Sequence, residues 1–195
     1  MRTVGRSALA LVSLLSAGVA LTACTPSDRP STQTGENTPA ATAPAAQTGG
    51  NKVSKPSGPP CQPEQYQVGG EFGQKPTITV PLDCAPQDGL LSRDLKEGEG
   101  AEAKPGSTVT VNYELVTFSD GKTADSSFER GATFDVEDLG NAPVITGWNQ
   151  GLVGIKEGGR RLLVIPAALG YGDQGNQGIK GGETLLFVVD AVSVK

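Results

Sequence analysis

Apolar side chains recur at every second position in several short segments of this chain. The clearest segment is 107–118, where Val109, Val111, Tyr113 and Leu115 alternate with mostly polar residues. This period is typical of a half-buried strand, and the dipeptide Asp120-Gly121 follows it as a turn. Further strands are predicted at 77–80, 90–95, 133–136, 160–165 and 184–194. The last two are rich in branched apolar residues, so we expect them in the centre of a sheet.

A single segment, 145–152, has the pattern of a helix. Ile145, Trp148 and Leu152 fall at i, i+3 and i+7 on one face. Because the segment is short and rich in glycine, packing must stabilise it, and we expect Trp148 to lie against a sheet. Strands on both sides of one short helix predict an α+β fold, in which a curved antiparallel β-sheet wraps around that helix.

Material for a hydrophobic core is concentrated after residue 60. All nine aromatic residues lie there, at positions 66, 72, 113, 118, 128, 134, 148, 171 and 187. In a chain of 195 residues, this distribution predicts one folded domain preceded by an unstructured extension.

Residues 1–23 have the features of a signal peptide. Arg2 and Arg6 precede an apolar run over 8–21, which is too short for a dedicated membrane span. The ending Leu21-Thr22-Ala23-Cys24 resembles the bacterial lipobox, in which the cysteine receives lipid. We therefore expect an exported chain that is held at the outer face of the cell membrane by lipid on Cys24 alone. An ordinary secretory signal with an incidental cysteine is the alternative.

The segment that follows is unlike a folded domain. Seven of the fourteen prolines lie in 25–60, without any aromatic residue, and such a segment buries too little apolar surface to offset the entropy of ordering it. We predict a disordered tether over 24–60, an N-terminal extension over 61–89 and the main folded domain over 90–195. In an exported chain Cys61 and Cys84 are expected to form a disulfide. Two free buried thiols are the alternative.

Composition excludes several kinds of chemistry. The chain contains no histidine, which excludes Ser-His-Asp and Cys-His nucleophiles and every histidine-bearing metal site. Without Arg2 and Arg6, 14 basic and 21 acidic side chains give a net charge of −7. This charge disfavours nucleic acid as a partner. The six residues from Lys156 to Arg161 include three cations and are expected to form an exposed turn that leads into a strand.

We also expect neither a cofactor nor a bound metal. Gly170, Gly172 and Gly175 have the spacing of a dinucleotide-binding loop, but the glycine-rich sequence after them cannot open a helix. The acidic side chains at 135, 137 and 138 lack the spacing of an EF-hand, so a solvated loop is the expected structure there.

Two neighbouring motifs resemble those of the FKBP-type peptidyl-prolyl cis/trans isomerases. The run Val144-Ile145-Thr146-Gly147-Trp148-Asn149-Gln150-Gly151 is similar to V-I-x-G-W-x-x-G, and 158–166 is similar to G-G-x-R-x-L-x-I-P. Asp125-Ser126-Ser127, Tyr171-Gly172 and Thr184-Leu185-x-Phe187 agree in order and spacing. The resemblance covers about residues 76–195. It implies an FKBP-like fold with a cleft between sheet and helix that holds a proline.

The resemblance also implies the roles of individual residues. Trp148 would form the floor under the proline ring, and the Ile145 backbone N–H and the Tyr171 hydroxyl would bind substrate carbonyl groups. The remaining positions would be the walls Tyr113, Phe134 and Phe187, the polar edge Asp125, and the substrate-binding residues Val136, Val144 and Ile179. The implied activity is prolyl isomerisation that assists the folding of exported proteins. The implied protein is a monomer, with proline-containing polypeptides and FK506-like macrolides as partners.

Three departures from the family pattern leave a second function open. Ala124 stands where the family has an aromatic residue, Val136 replaces the second aromatic of a Phe-x-Phe strand, and Lys180-Gly181-Gly182 replaces apolar and proline residues. Each departure removes apolar surface, which favours weaker activity or weaker macrolide binding. A non-catalytic binding module is the alternative function. Residues 61–89, with Tyr66 and Phe72, are a candidate lid or docking surface outside the family domain.

Overall fold

A computed structural model of the chain describes residues 56–195. The predicted signal peptide, Cys24 and the tether as far as residue 55 lie outside the described residues. Among residues 56–195, no helix is long and apolar enough to cross a membrane.

Eight strands and two short helices form the described part of the chain. The helices are α1 (Ser127–Arg130) and α2 (Thr146–Gly151), and single 3-10 turns lie at Pro63–Gln65 and Ala167–Leu169. The strands are β1 (Gln67–Gly69), β2 (Thr77–Thr79), β3 (Leu91–Lys96), β4 (Val109–Thr117), β5 (Thr123–Ser126), β6 (Phe134–Val136), β7 (Arg160–Ile165) and β8 (Leu185–Val194).

The main sheet is antiparallel and has the order β3-β7-β8-β4-β5, with β6 also paired to β4. It curves around α2, which confirms the predicted α+β fold. The two apolar runs predicted to be central are β7 and β8, and both lie inside the sheet. A separate two-stranded sheet joins β1 to β2.

One face of the main sheet, which we call the helix face, packs against α2. It carries alternate residues of the long strands, among them Tyr113 and Leu115 of β4 and Phe187 of β8. The two glycines of α2 let the helix lie close to β7. A Cβ atom at Gly147 would lie 2.4 Å from Cγ2 of Ile165, and one at Gly151 would lie 2.7 Å from Cδ2 of Leu163. Packing against the sheet therefore positions this short helix, as its sequence predicts.

The opposite face, which we call the extension face, is covered by residues of the N-terminal extension. Tyr66, Cys61 and Cys84 form a second buried cluster with the other set of alternate residues, including Leu162 of β7 and Val188 of β8. Because both faces are covered, every residue of β7 is buried. This arrangement explains why the sequence of β7 has no alternation.

The two arginines that begin β7 are buried, so the predicted exposed turn at 156–161 is wrong for these positions. Arg160 is 2% exposed and Arg161 is 7% exposed. Consecutive residues of a strand point to opposite faces, and each arginine meets a carboxylate on its own side. Arg160 Nε donates to Asp190 Oδ1 at 2.5 Å, and Arg161 Nε donates to Asp94 Oδ1 at 2.6 Å.

The extension is fixed to its face by covalent and polar contacts. The structure joins Cys61 and Cys84 in a disulfide, with Cα atoms 4.9 Å apart, in agreement with the predicted pairing. Arg160 Nη1 donates to the carbonyl oxygen of Gly70 at 2.8 Å, and the backbone N–H of Gly73 donates to Asp190 Oδ2 at 2.7 Å. The Ala85 N–H donates to the carbonyl oxygen of Pro59 at 2.9 Å. The end of the predicted tether is therefore hydrogen-bonded to the extension.

Candidate functional site

The helix face contains a cavity of about 430 Å³. This size is within the range of small-ligand sites. Its walls come from four strands, α2 and two loops, and are formed by Tyr113, Leu115, Asp125, Phe134, Pro143, Val144, Ile145, Trp148, Tyr171, Asn176 and Phe187.

Four aromatic rings from four elements meet around this cavity. Trp148 of α2 is central to them, with ring centroids 5.2 Å from Tyr113 and 5.2 Å from Phe187. Phe134 of β6 stands 6.0 Å from the Trp148 ring at an angle of 78°. Edge-to-face contacts of this kind stabilise an aromatic pair by about 0.5–1.5 kcal/mol beyond area burial. The rings therefore form a fixed apolar enclosure.

A polar edge interrupts the apolar wall at Tyr113. Its hydroxyl donates to Asp125 Oδ2 at 2.5 Å and accepts from Arg130 Nη2 at 2.7 Å. Arg130 also pairs with Asp125 and lies 5.3 Å from the Tyr113 ring centroid. Burial, and next to it the hydrogen bond to Asp125, raises the pKa of Tyr113 to about 12. The phenol therefore stays protonated at neutral pH and holds the carboxylate in place.

Arg130 is a site residue that the sequence interpretation missed, because β5 and α1 were not predicted. The strand β5 is polar and forms by pairing with the edge of β4. A signal for α1 was present in Ser126-x-x-Glu129, where the Ser126 side chain accepts from the Glu129 N–H at 3.3 Å. Gly131 ends this helix in the left-handed region at φ 64°. A serine three residues before a glutamate and a terminal glycine together mark a short helix.

The loop that precedes α2 is held in place by one side chain of the helix. Asn149 Oδ1 accepts from the N–H groups of Gly140 and Ala142, and its Nδ2 donates to the Ala142 carbonyl at 3.0 Å. These bonds fix the segment that presents Val144 to the cavity. At the end of the segment, the backbone N–H of Ile145 has no hydrogen-bond acceptor among residues 56–195, so a bound carbonyl group can accept from it.

The loop after β7 closes the cavity on its remaining side. Tyr171 is half-buried there, and burial is the main cause that raises its pKa, with the nearby Asp125 charge adding to it. The Tyr171 phenol is therefore protonated at neutral pH and can donate a hydrogen bond. Asn176, which the sequence interpretation did not select, lines the cavity from the same loop.

The structure brings most of the predicted site residues together. All seven residues with a predicted catalytic role line the cavity, and Val144 lines it as predicted. Val136 and Ile179 do not line it. Val136 is buried in the core opposite Val109, four residues along β4 from Tyr113, or about 13 Å at strand spacing. Ile179 packs against the core.

This arrangement suits a change of conformation better than the breaking of a bond. Aromatic rings form much of the wall, the Ile145 N–H and the Tyr171 hydroxyl are neutral groups at its rim, and the charged Asp125 at its edge is paired with Arg130. A bound amide would therefore meet aromatic faces and a few fixed hydrogen-bond donors.

Comparison with known proteins agrees with this geometry. Residues 99–192 match the family described as FKBP-type peptidyl-prolyl cis-trans isomerase. A protein of Streptomyces anulatus named FK506-binding protein is 47% identical over 123 residues, which cover 62% of this chain and 98% of the relative. A probable FK506-binding protein of Corynebacterium glutamicum is 43% identical over 120 residues, which cover 62% of this chain and 98% of the relative.

A solved structure shares the fold. The crystal structure of FkpA from Escherichia coli superposes with a TM-score of 0.51 at 41% sequence identity, covering 55% of this chain and 48% of that one. The residues that match the family, 99–192, include every residue that lines the aromatic cavity. On the match over nearly the whole length of the Streptomyces relative, the chain belongs to the FKBP-type peptidyl-prolyl cis-trans isomerase family.

Proposed function

We propose that this protein isomerises X–Pro peptide bonds in exported polypeptides, with the proline ring seated over Trp148 in the aromatic cavity. The observation that carries the proposal is the enclosure itself. Four aromatic rings surround a cavity of about 430 Å³, with the Ile145 N–H and the Tyr171 hydroxyl as neutral groups at its rim.

The chemistry needs no nucleophile. An X–Pro bond rotates against a barrier of about 18–20 kcal/mol, and uncatalysed exchange takes tens to hundreds of seconds. Rotation uncouples the nitrogen lone pair from the carbonyl group, which makes the twisted amide less polar than the planar one. An apolar enclosure therefore favours the twisted amide relative to water. Four to five decades of acceleration correspond to roughly 5.5–7 kcal/mol of preferential stabilisation.

The groups at the rim orient the bound chain. The N–H of Ile145, which has no acceptor among residues 56–195, and the protonated hydroxyl of Tyr171 supply donors for carbonyl groups that flank the proline. The Tyr113 hydroxyl is already committed to Asp125 and Arg130, so it acts by fixing the carboxylate at the cavity edge. Such preorganised donors lower the barrier because they need no reorientation during rotation.

A non-catalytic binding module is the second candidate function. Two of the departures from the family pattern that favour it, Ala124 and Val136, lie outside the cavity wall. Val136 is buried in the core, so its replacement of an aromatic residue removes no wall from the cavity. Ala124 lines a neighbouring groove instead. The aromatic enclosure is complete without either residue, and this favours the enzyme.

The N-terminal sequence supports the proposed place of action. The basic start, the apolar run and Cys24 support export and lipid attachment, which would hold the domain at the outer face of the cell membrane. A disulfide between Cys61 and Cys84 fits an oxidising compartment. Replacement of Cys24 by alanine would then move the protein from the membrane fraction to the soluble fraction, and an unchanged distribution would refute the anchor.

The isomerase activity is tested on a Leu-Pro peptide with the purified protein and its Trp148→Leu variant. We expect the wild type to accelerate exchange and the variant to lose at least about tenfold in kcat/KM, or about 1.4 kcal/mol of transition-state stabilisation. Circular dichroism verifies that both proteins are folded.

Phe72→Leu is the matched control. Phe72 is an aromatic residue of the extension that contacts Lys96, so its variant should retain kcat/KM within about twofold. A folded wild type without any acceleration would contradict the proposal and favour the binding module. Equal losses in the two variants would show that the aromatic cavity is not the site.

A further inference from the structure

A second, smaller cavity adjoins the proline site. It has a volume of about 180 Å³, and we call it the side groove. Both cavities use the same two elements, since β5 contributes Asp125 to the proline site and Ala124 to the side groove. The loop 170–183 likewise contributes Asn176 to the first and Lys180 to the second. The residues lining the side groove are Thr117, Ser119, Asp120, Lys122, Thr123, Ala124, Gly178, Lys180 and Glu183.

Ala124 and Lys180 both line the side groove. Ala124 extends only a methyl group from β5, and its neighbour Asp125 lines the proline site. The side groove therefore lies within reach of a residue next to a bound proline.

The charged groups of the side groove differ in whether they already have an ion-pair or hydrogen-bond partner. Asp120 accepts from Thr117 Oγ1 at 2.5 Å and pairs with Lys122 at 3.5 Å. Glu183 is 3% exposed, and its two carboxylate oxygens accept from the N–H and hydroxyl of Ser119 at 3.0 and 2.7 Å. Among the described residues, Lys180 makes neither an ion pair nor a side-chain hydrogen bond. The groove therefore offers a free ammonium donor, whereas its acceptors are occupied.

The backbone holds Lys180 at a fixed place. Asn176 and Ile179 exchange two backbone hydrogen bonds, at 3.0 and 2.8 Å. On the other side, the N–H of Gly182 donates to the carbonyl oxygen of Gly172 at 2.9 Å. This closed loop contributes Tyr171 and Asn176 to the proline site and Lys180 to the side groove, so it ties the two cavities together.

We propose that the side groove receives the side chain of a residue next to the substrate proline, and that Lys180 selects an acidic side chain there. This inference rests on the proposed isomerase function. An aspartate or glutamate beside the proline would accept from the unengaged ammonium, while Ala124 leaves the space for it. Lys180 is a specificity-determining residue, distinct from the groups that surround the proline ring.

The test compares matched peptides that differ only in charge beside the proline. One pair, Glu-Pro and Gln-Pro, varies the residue before the proline. The other pair, Pro-Glu and Pro-Gln, varies the residue after it. In the wild type at low salt, we expect one pair to show kcat/KM about two- to fivefold higher for the glutamate peptide, as for a solvent-exposed ion pair. This preference should vanish at 1 M salt, where the screening length is about 3 Å.

Two substitutions at Lys180 separate a charge contact from a structural effect. Lys180→Gln should bring the ratio of the two kcat/KM values close to one. Lys180→Glu should favour a lysine beside the proline over glutamine, which a merely structural role would not produce. Lys122→Gln is the matched control. It removes a lysine of the same groove that already pairs with Asp120, and it should keep the glutamate preference.

The outcomes distinguish this inference from the proposed function. If the glutamine peptides are isomerised faster in the presence of the protein, but both ratios are near one, selection by Lys180 is refuted and the isomerase function stands. A preference that survives in Lys180→Gln also refutes it. If no peptide is accelerated by the folded protein, the isomerase function fails, and the inference fails with it.

Discussion

The two faces of the main sheet share the same backbone, but one keeps a cavity and the other is filled. The helix face keeps a cavity of about 430 Å³ between aromatic rings, with hydrogen-bonding groups at its rim. The extension face is filled by Tyr66, a disulfide and a buried ion pair. The strand β7 contributes an arginine to each face. Arg161 donates to the carbonyl oxygens of Gly151 and Val153 at 2.9 Å beside α2. Arg160 donates to a carbonyl oxygen of the extension on the other face.

This difference indicates that the extension face mainly stabilises the fold, whereas the helix face mainly provides the functional site. The residues that line a cavity lack the packing contacts that other side chains would make there. The stability of the fold must therefore come from other parts of the molecule. The extension supplies a second apolar cluster and a covalent link on the side away from the site. Changes on the extension face should therefore affect the free energy of unfolding, and changes on the helix face should affect catalysis.

The largest effect on stability is expected from Arg160→Met. Asp190 is 1% exposed, and the substitution would leave its carboxylate buried without its cation. Such changes cost about 3–5 kcal/mol, which urea unfolding would measure. The double variant Arg160→Met/Asp190→Leu removes both charges and should recover most of the loss. A loss below about 1 kcal/mol in the single variant would show that the ion pair does not hold the extension.

A smaller loss is expected when the disulfide is removed by the double substitution Cys61→Ser/Cys84→Ser. The two cysteines are 23 positions apart, and opening a loop of this length lowers stability by roughly 3 kcal/mol in the chain-entropy model. The kcat/KM of the folded protein should stay within about twofold, because the disulfide lies on the face opposite the cavity. A large fall in kcat/KM without unfolding would contradict the separation of the two faces.

The smallest effect of a single residue concerns alkaline pH. Burial raises the pKa of Tyr66 on the extension face and of Tyr113 on the helix face to about 12, against about 10 in an unfolded chain. Below pH 10 both phenols are protonated in either state, so their contribution to stability is fully present. Between pH 10 and 12 the unfolded chain ionises first, and stability falls by about 2–3 kcal/mol for each tyrosine.

Unfolding measured from pH 9 to 12 tests this assignment. Tyr66→Phe should reduce the alkaline loss by about 2–3 kcal/mol and leave the cavity intact. If the variant loses stability as steeply as the wild type, the Tyr66 phenol does not ionise with a raised pKa.

The sequence predicted the helix face better than the extension face. The period of two in β4 and the helical spacing of Ile145 and Trp148 are local patterns, and each reports the side that packs inward. The polar strand β5 has no such pattern, because pairing with β4 forms it. Arg130 was missed along with it. The burial of Arg160 depends on Asp190, 30 positions away, and on loop carbonyl groups of the extension, which no local pattern reveals.

The central claim is that a proline side chain enters the cavity above Trp148. Because Trp148 is the only tryptophan of the chain, its fluorescence reports on this cavity alone. The most direct measurement is a titration of the protein with a Leu-Pro peptide and with the matching Leu-Ala peptide. We predict a saturable change of Trp148 emission with the proline peptide and none with the alanine peptide. No change with either peptide, or the same change with both, would contradict the claim.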